Sequence, residues 1–329
     1  MIVTSETTDS VGFLDRFARV GENWDYVSLD KDQCAYLISQ FPEVEKELFI
    51  FEGESGDLGR ILLTQSAENQ GVCFFGMVDY IHTENNVSKE LYKAIMNKAK
   101  EWGAKKVIGP VNINTWFGNR FKSSGFNNQY GWEPNNPEAY INDAMDFGFE
   151  VDHSYSSKFF EAMELQAARS KMGYEMAINK GFSFRCPDLN SEEDILRLYE
   201  LNTTSFKNNY LYEPITLDQY KATYIQVLKG SDLSLSFFIL DKNLVPRGYV
   251  YNFLEGDCLI IKSILVEQSY QGGLLSSALI HETAKKSLER GITKGAGVLI
   301  REGNISSKFY EKIGEPYQIH EYKMLKKEL

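Results

Sequence analysis

Gly272 and Gly273 stand side by side between an apolar run, Leu259 to Val266, and a helix-forming stretch that begins near Leu274. The order predicts a buried strand, a short polar loop and a long helix. A helix that starts on a glycine loop leaves its first backbone N–H groups without intrahelical acceptors. Those donors, with the positive end of the helix dipole, make an anion site suited above all to phosphate. An ordinary turn between strand and helix has the same composition, so the loop alone decides nothing.

The elements that must position this loop follow from the same kind of pattern. Downstream of residue 182 the chain reads as a strand at Ser183–Pro187 and a helix capped at Asn190-Ser191 with acidic residues in its first turn. A helix at Leu217–Leu228 comes next. Strands at Leu235–Leu240, Gly248–Phe253 and Leu259–Val266 are rich in β-branched and aromatic residues and are separated by turn-forming residues. The helix from Leu274 to Arg290 ends at Gly291, a good residue for a helix C-terminus. Strand Gly297–Arg301, helix Ser306–Ile313 and an extended Tyr317–Leu325 complete this half.

The first half follows a similar order. Strands are expected at Leu48–Phe51, Arg60–Gln65 and Val72–Tyr80, then a helix at Lys89–Trp102 closed by Gly103. A strand at Lys106–Ile108, a helix at Pro137–Phe147 closed by Gly148, and an extended Phe149–Phe160 follow. Gly103 falls on Gly291 and Gly148 on Gly314. The expected organisation is therefore two copies of one α/β (α+β) fold, residues 1–162 and 163–329, joined by a connector helix at about residues 161–180. A length of 329 residues suits two domains of ordinary size.

Composition narrows the partners. A net charge of −11 argues against general attraction to nucleic acid or to acidic membranes. No apolar run is long enough to span a bilayer, and the N-terminal residues lack the pattern of a signal peptide. Cys34, Cys73, Cys186 and Cys258 are widely spaced, as are His82, His153, His281 and His320, and neither set has the spacing of metal ligands. A cytoplasmic, metal-free protein is the expectation, with its oligomeric state open.

With these elements placed, residues 182–329 resemble the GNAT superfamily, the GCN5-related N-acetyltransferases. Two segments carry the resemblance. Gln271-Gly272-Gly273-Leu274-Leu275-Ser276 is similar to the family's Q/R-x-x-G-x-G/A pyrophosphate loop, with Leu274 where the family has glycine and Ser276 where it has glycine or alanine. Asn304-Ile305-Ser306-Ser307-Lys308-Phe309-Tyr310-Glu311-Lys312-Ile313-Gly314 resembles the family's second motif, with Ser307 in place of alanine. The resemblance implies two tandem GNAT-like domains, each a mixed, mainly antiparallel sheet flanked by helices. It implies an acyl-CoA donor, acetyl-CoA or another thioester, and the amine of a small molecule as acceptor. Backbone groups of Ile264, Leu265 and Val266 would pair with pantetheine, and the amides of Gln271 to Ser276 would hold the pyrophosphate. Asn304 and Ser307 would border the cofactor arm, and Tyr310 would protonate the departing thiolate. A phenol, with an ordinary pKa of about 10, keeps its proton at neutral pH and suits that task.

Each residue also has a plainer reading. Asn304 can cap the following helix, and Tyr310 can pack on an amphipathic one. An acyl-carrier protein or aminoacyl-tRNA as donor, or a non-catalytic metabolite-binding protein, are the alternatives to acyl transfer from CoA.

The first half lacks this chemistry. Its corresponding loop, Asp79 to Ser88, contains no glycine and two acids, and Ala144 stands where the second half has Tyr310. It carries instead Gly109-Pro110-Val111-Asn112, which resembles a G-P-x-N segment of tandem GNAT-like bacterial proteins. A long irregular stretch from about Asn112 to Asn136 follows it. Such a stretch is either the wall of an acceptor pocket or a packed Ω-loop that completes a core.

Overall fold

The computed structural model describes residues 2–7, 11–83, 86–304 and 314–329. The chain forms two compact units rather than dividing at one point after residue 162. The first comprises Met1–Ser154, Tyr210–Glu213 and His320–Leu329; the second comprises Tyr155–Asn209 and Pro214–Ile319. Each half of the chain thus lends a terminal strand to the other unit.

In the first unit, β1 (Ile2–Thr7), β2 (Lys46–Gly53), β3 (Gly56–Gln65), β4 (Val72–Tyr80) and β5 (Lys106–Gly109) lie in sequence order, with β13 (Gln318–Glu328) beside β5. A two-residue strand, β6 (Phe121–Lys122), also pairs with β13. All pairings are antiparallel except β4 with β5. Helices α1 (Val11–Arg19), α2 (Lys31–Ser39), α3 (Val87–Glu101) and α4 (Ala139–Asp146) connect them. Asp30 and Gln33 form a reciprocal cap on α2, which satisfies donors at a helix start. Gly103 and Gly148, at φ +74° and +96°, end α3 and α4 in the left-handed conformation that glycine adopts without strain. Phe75, Tyr92, Ile95, Val107 and Phe149 meet in the core between α3 and the sheet.

The second unit repeats the plan. Its sheet runs β7 (Glu150–Glu161), β12 (Lys294–Arg301), β11 (Cys258–Val266), β10 (Pro246–Glu255), β9 (Phe237–Leu240) and β8 (Ser183–Arg185). Here β11 with β12 is the parallel pair. The expected connector is α5 (Met163–Asn179), and α6 (Glu192–Phe206) starts on Ser191, whose hydroxyl accepts from the Asp194 N–H. The helix expected at Leu217–Leu228 is instead α7 (Leu217–Tyr220), a π-helical turn at Lys221–Ile225, and α8 (Gln226–Lys229). Helix α9 (Leu274–Leu288) leads back to β12. Both units are mixed, mainly antiparallel sheets flanked by helices, the expected fold class. Among the described residues no helix is long and apolar enough to cross a membrane.

Candidate functional site

Strands β11 and β12 pair over only part of their length. Their register runs from Cys258 with Lys294 to Ile261 with Gly297 and stops there. Beyond that point β12 follows β7, with Ile300 opposite Ser156 and Arg301 opposite Tyr155. The departure is fixed by an irregularity in β12: Leu299 takes φ +54°, and its N–H donates to the buried Ser157 hydroxyl at 3.0 Å. Strand β11 meanwhile stays with β10, pairing Ile264 with Val250, Leu265 with Tyr249 and Val266 with Gly248. In a strand bonded on one side only, alternate backbone groups point away from the partner. The Ile264–Val266 edge therefore presents hydrogen-bonding groups to a wedge-shaped gap.

The gap leads to the glycine loop. Gln268–Tyr270 forms one 3₁₀ turn, Gln271 is extended, and Gly272 and Gly273 take φ +137° and +91°. A side chain at either glycine would be strained by the backbone, yet it would meet no atom within 4 Å. The space over the loop is open. Gly273 is the N-cap of α9 with no side-chain cap, and the helical bonding begins with Ser277 N–H to Gly273 C=O at 2.9 Å. Leu274, Leu275 and Ser276 thus head the helix with N–H groups that have no intrahelical acceptor.

Leu274, the departure from the family pattern, is the first residue of α9 and packs against the cluster around Ala177, Leu275 and Leu279. The demand for glycine conformation falls on 272 and 273. A leucine at 274 does not obstruct the loop, because its side chain is turned into the core.

Ion pairs and ring contacts hold the loop in place. The Glu267 carboxylate receives Arg197 at 2.5 Å, Arg247 at 3.0 Å and the Ser269 hydroxyl at 2.9 Å. Burial works to raise its pKa, but the hydrogen bonds from Arg247, Ser269 and Arg197 outweigh it and keep the carboxyl below the ordinary glutamate range. The Arg247 guanidinium lies 5.3 Å from the Tyr270 ring centre. Beneath, α5 comes close to α9 at Gly173, where any side chain would strike Ser277, and His281 meets the Ala167 carbonyl at 2.8 Å.

The sheet face opposite α9 carries groups that sequence reasoning missed. Ser263, on the gap strand β11, lies near the Tyr224 phenol, and burial pushes that phenol's pKa up. Tyr224 stacks on Tyr220 with centroids 5.0 Å apart and meets Tyr251 edge-on at 6.4 Å. Tyr224 lies in the π-helical turn, and single π turns often mark functional sites. A helical pattern through Leu228 conceals such a turn, so no signal in the sequence announced it.

Asn304 closes the turn after β12, its N–H donating to the Arg301 carbonyl at 3.2 Å. Ser307 and Tyr310 lie outside the described residues. Of the site residues expected from the sequence, the described ones are Ile264 to Val266, Gln271 to Ser276 and Asn304, all on the segment that runs from β11 through α9 to the turn after β12. Among the described residues no cluster of His, Cys, Asp and Glu could hold a metal ion.

The same place in the first unit is filled. Strands β4 and β5 pair from Val72 with Lys106 to Phe74 with Ile108. The chain then passes through a cis Gly109–Pro110 bond and runs into the space beside β4. Val111 N–H donates to Phe75 C=O at 2.6 Å, and the Asn112 side-chain oxygen accepts from Met77 N–H at 2.7 Å. A Cβ on Gly76 would lie 2.2 Å from the Val111 carbonyl oxygen, so glycine is required there. This is the structural meaning of the G-P-x-N segment: the chain itself saturates the edge of β4. Asp79, at the start of the loop that replaces the glycine loop, is buried and bonded to Arg60 at 2.8 Å and to the Ser28 N–H and hydroxyl, both at 2.7 Å. Ala144 is buried in the core.

The irregular segment after Asn112 is packed. The Lys122 ammonium reaches Glu133 at 2.7 Å and the Asn128 carbonyl at 2.7 Å, and Glu133 also receives His320 at 2.5 Å and the Tyr322 hydroxyl. Lys122, Glu133, His320 and Tyr322 are all buried. Tyr130 stacks on Trp132 and lies 5.7 Å from the His320 ring. These contacts are those of a packed Ω-loop.

Neither protein-family models nor curated proteins match the sequence. Solved structures do match the fold over nearly the whole chain. A tandem GNAT protein from the clavulanic acid biosynthesis pathway aligns with TM-score 0.56 and 10% identity, covering 99% of this chain and 98% of that one. A probable N-acyltransferase from Enterococcus faecalis aligns with TM-score 0.59 and 8% identity, covering 100% and 73%. A GCN5-related N-acetyltransferase from Kribbella flavida aligns with TM-score 0.56 and 10% identity, covering 99% and 72%. The fold is the GNAT fold, as the motifs led one to expect; identities this low speak to fold alone.

Proposed function

We propose that this protein is an N-acyltransferase that moves an acyl group from acyl-CoA to the amine of a small molecule, with the chemistry in the second unit. One observation carries the reading: among the described residues the wedge between β11 and β12 is open and leads to the glycine loop at the head of α9, whereas its counterpart beside β4 is filled by Val111 and Asn112. Pantetheine would lie along Ile264 to Val266, and its pyrophosphate on the amides of Gln271 to Ser276.

In this reading the amine nitrogen attacks the thioester carbonyl directly. A C–N bond forms, the C–S bond breaks, the ammonium proton passes to solvent, and the CoA thiolate takes a proton from Tyr310. The assignment of Tyr310, like those of Ser307 and Asn304 beside the cofactor arm, is supported by the Asn304–Gly314 motif. Holding acceptor and thioester together supplies much of the rate by removing the entropy of their encounter. The first unit, with its gap closed, has a structural role.

Free-thiol release from acetyl-CoA, measured across a panel of amines, tests the proposal. Thiol release that depends on one amine and falls in Tyr310→Phe supports it. The absence of any CoA effect at millimolar concentration, on thermal melting or on turnover, contradicts it.

A further inference from the structure

We infer that the second unit contains a subsite for an acyl group longer than acetyl, a short aliphatic chain such as propionyl or butyryl. The inference rests on the acyl-CoA reading of this unit. An apolar cavity of about 30 Å³ is lined by Met163, Ile261, Ile280, Thr283, Ala284 and Gly295, among others. Ile261 is the last residue of β11 that pairs with β12. The cavity therefore lies at the vertex of the gap, directly beyond the end of the edge on which a thioester would rest.

Comparison of the two units shows how the cavity arises. Equivalent positions are fixed by the bonds that close the helices, Ala104 N–H to Ala99 C=O and Ile292 N–H to Ser287 C=O. They are fixed also by the strand registers, Cys73 with Val107 and Leu259 with Gly295. On this basis Phe75 corresponds to Ile261, Tyr92 to Ile280, Ile95 to Thr283, Met96 to Ala284 and Val107 to Gly295. In the first unit all five are buried in one core cluster. At every one of them the second unit has the smaller side chain.

Protein interiors are close-packed, and an empty cavity costs stability. Glycine inside a strand is itself unfavourable. Met163 takes the room left by Gly295, where a Cβ would lie 2.8 Å from its methyl group, and the space that remains at the vertex of the gap is empty. Its lining is mostly apolar, with the Phe160 ring and one amide side chain, Gln166, beside the aliphatic groups, and the Thr283 hydroxyl is already taken as an acceptor by the Asn252 amide at 3.2 Å. A hydrocarbon suits it and a charged acyl group does not. A cavity of about 30 Å³ exceeds the roughly 10–15 Å³ that one water needs, which gives room for about one or two carbons beyond acetyl.

The test is calorimetric titration of the full chain with CoA, acetyl-CoA and butyryl-CoA. Each methylene taken from water contributes about fourfold in affinity, so butyryl-CoA, with two more than acetyl-CoA, should bind about fifteenfold more tightly. Ala284→Met, which restores the first unit's residue, should erase that difference while CoA itself binds as before. Thr283→Ile should act in the same direction, and CoA binding reports in both variants that the fold is intact. Equal affinity for the two thioesters in the unaltered protein overturns the inference, as does a preference that survives in both variants. Absence of binding by all three compounds overturns the donor reading, and the inference falls with it.

Discussion

Two parallel strand pairs, β4 with β5 and β11 with β12, begin alike and end differently. In the first unit the chain leaving β5 folds back along β4, and Asn112 takes the free Met77 N–H. In the second, β12 leaves with β7, and among the described residues nothing pairs with the far edge of β11. The same contrast recurs at the following helix, which starts on two left-handed glycines in one unit and follows the buried Asp79–Arg60 pair in the other. A fold built around a gap must either bind something there or fill it, since unpaired backbone groups away from water are costly. The first unit fills its gap, and in the proposed function the second binds a thioester in its own.

The largest expected effect that sharpens this contrast is on the open side. Gly273→Glu puts an acid over the loop where space is free, and CoA affinity should fall by about a hundredfold, or about 2.7 kcal/mol, in calorimetry. Affinity within threefold of the original would break the comparison. On the closed side, Asn112→Leu leaves the Met77 N–H buried without its acceptor. Urea unfolding should show a loss of about 1–3 kcal/mol, with CoA affinity unchanged. A CoA affinity that follows this substitution would assign the wrong role to the first gap.

Smaller effects concern pH. Glu267 has a depressed pKa, so its contribution is present above the unfolded glutamate value of about 4.3 and is lost as pH falls through the folded value. Glu267→Gln should cost about 1–2 kcal/mol at pH 7, weaken CoA binding, and reduce the loss of stability on acidification. Glu213, in the first unit, behaves oppositely. Burial raises its pKa despite the hydrogen bonds from Ser66 and from backbone groups, so its contribution is full below about pH 4.3 and is lost as pH rises through the folded value. Glu213→Gln, which resembles the protonated acid, should stabilise the protein at neutral pH by less than about 1 kcal/mol in thermal unfolding. A destabilisation there would reverse the sign argued for this residue.

Much of the architecture is legible in the sequence, for particular reasons. Gly103, Gly148 and Gly291 mark helix ends because each needs positive φ, and β4 and β11 are read from largely apolar runs. The N-terminal elements escape: β1 is a polar, largely exposed edge strand, and a short helix such as α1 carries few signals of its own. The exchange of β7 and β13 escapes too, because nothing local tells a strand which of two similar sheets it will join. At the site, the glycine loop is legible because its chemistry is backbone chemistry tied to one residue type. Leu274 looks like an obstacle until its side chain is seen to face the core. Tyr224 and Ser263 come together from separate elements through a π-helical turn, which leaves no mark in a hydrophobic pattern.

The central claim is that one gap is open and one is closed. Its most direct test is the stoichiometry of CoA binding to the full chain, compared between the unaltered protein and Gly273→Glu. The account predicts one CoA per chain and none in the variant at the same concentrations. Two CoA molecules per chain, or one that persists in Gly273→Glu, would contradict it.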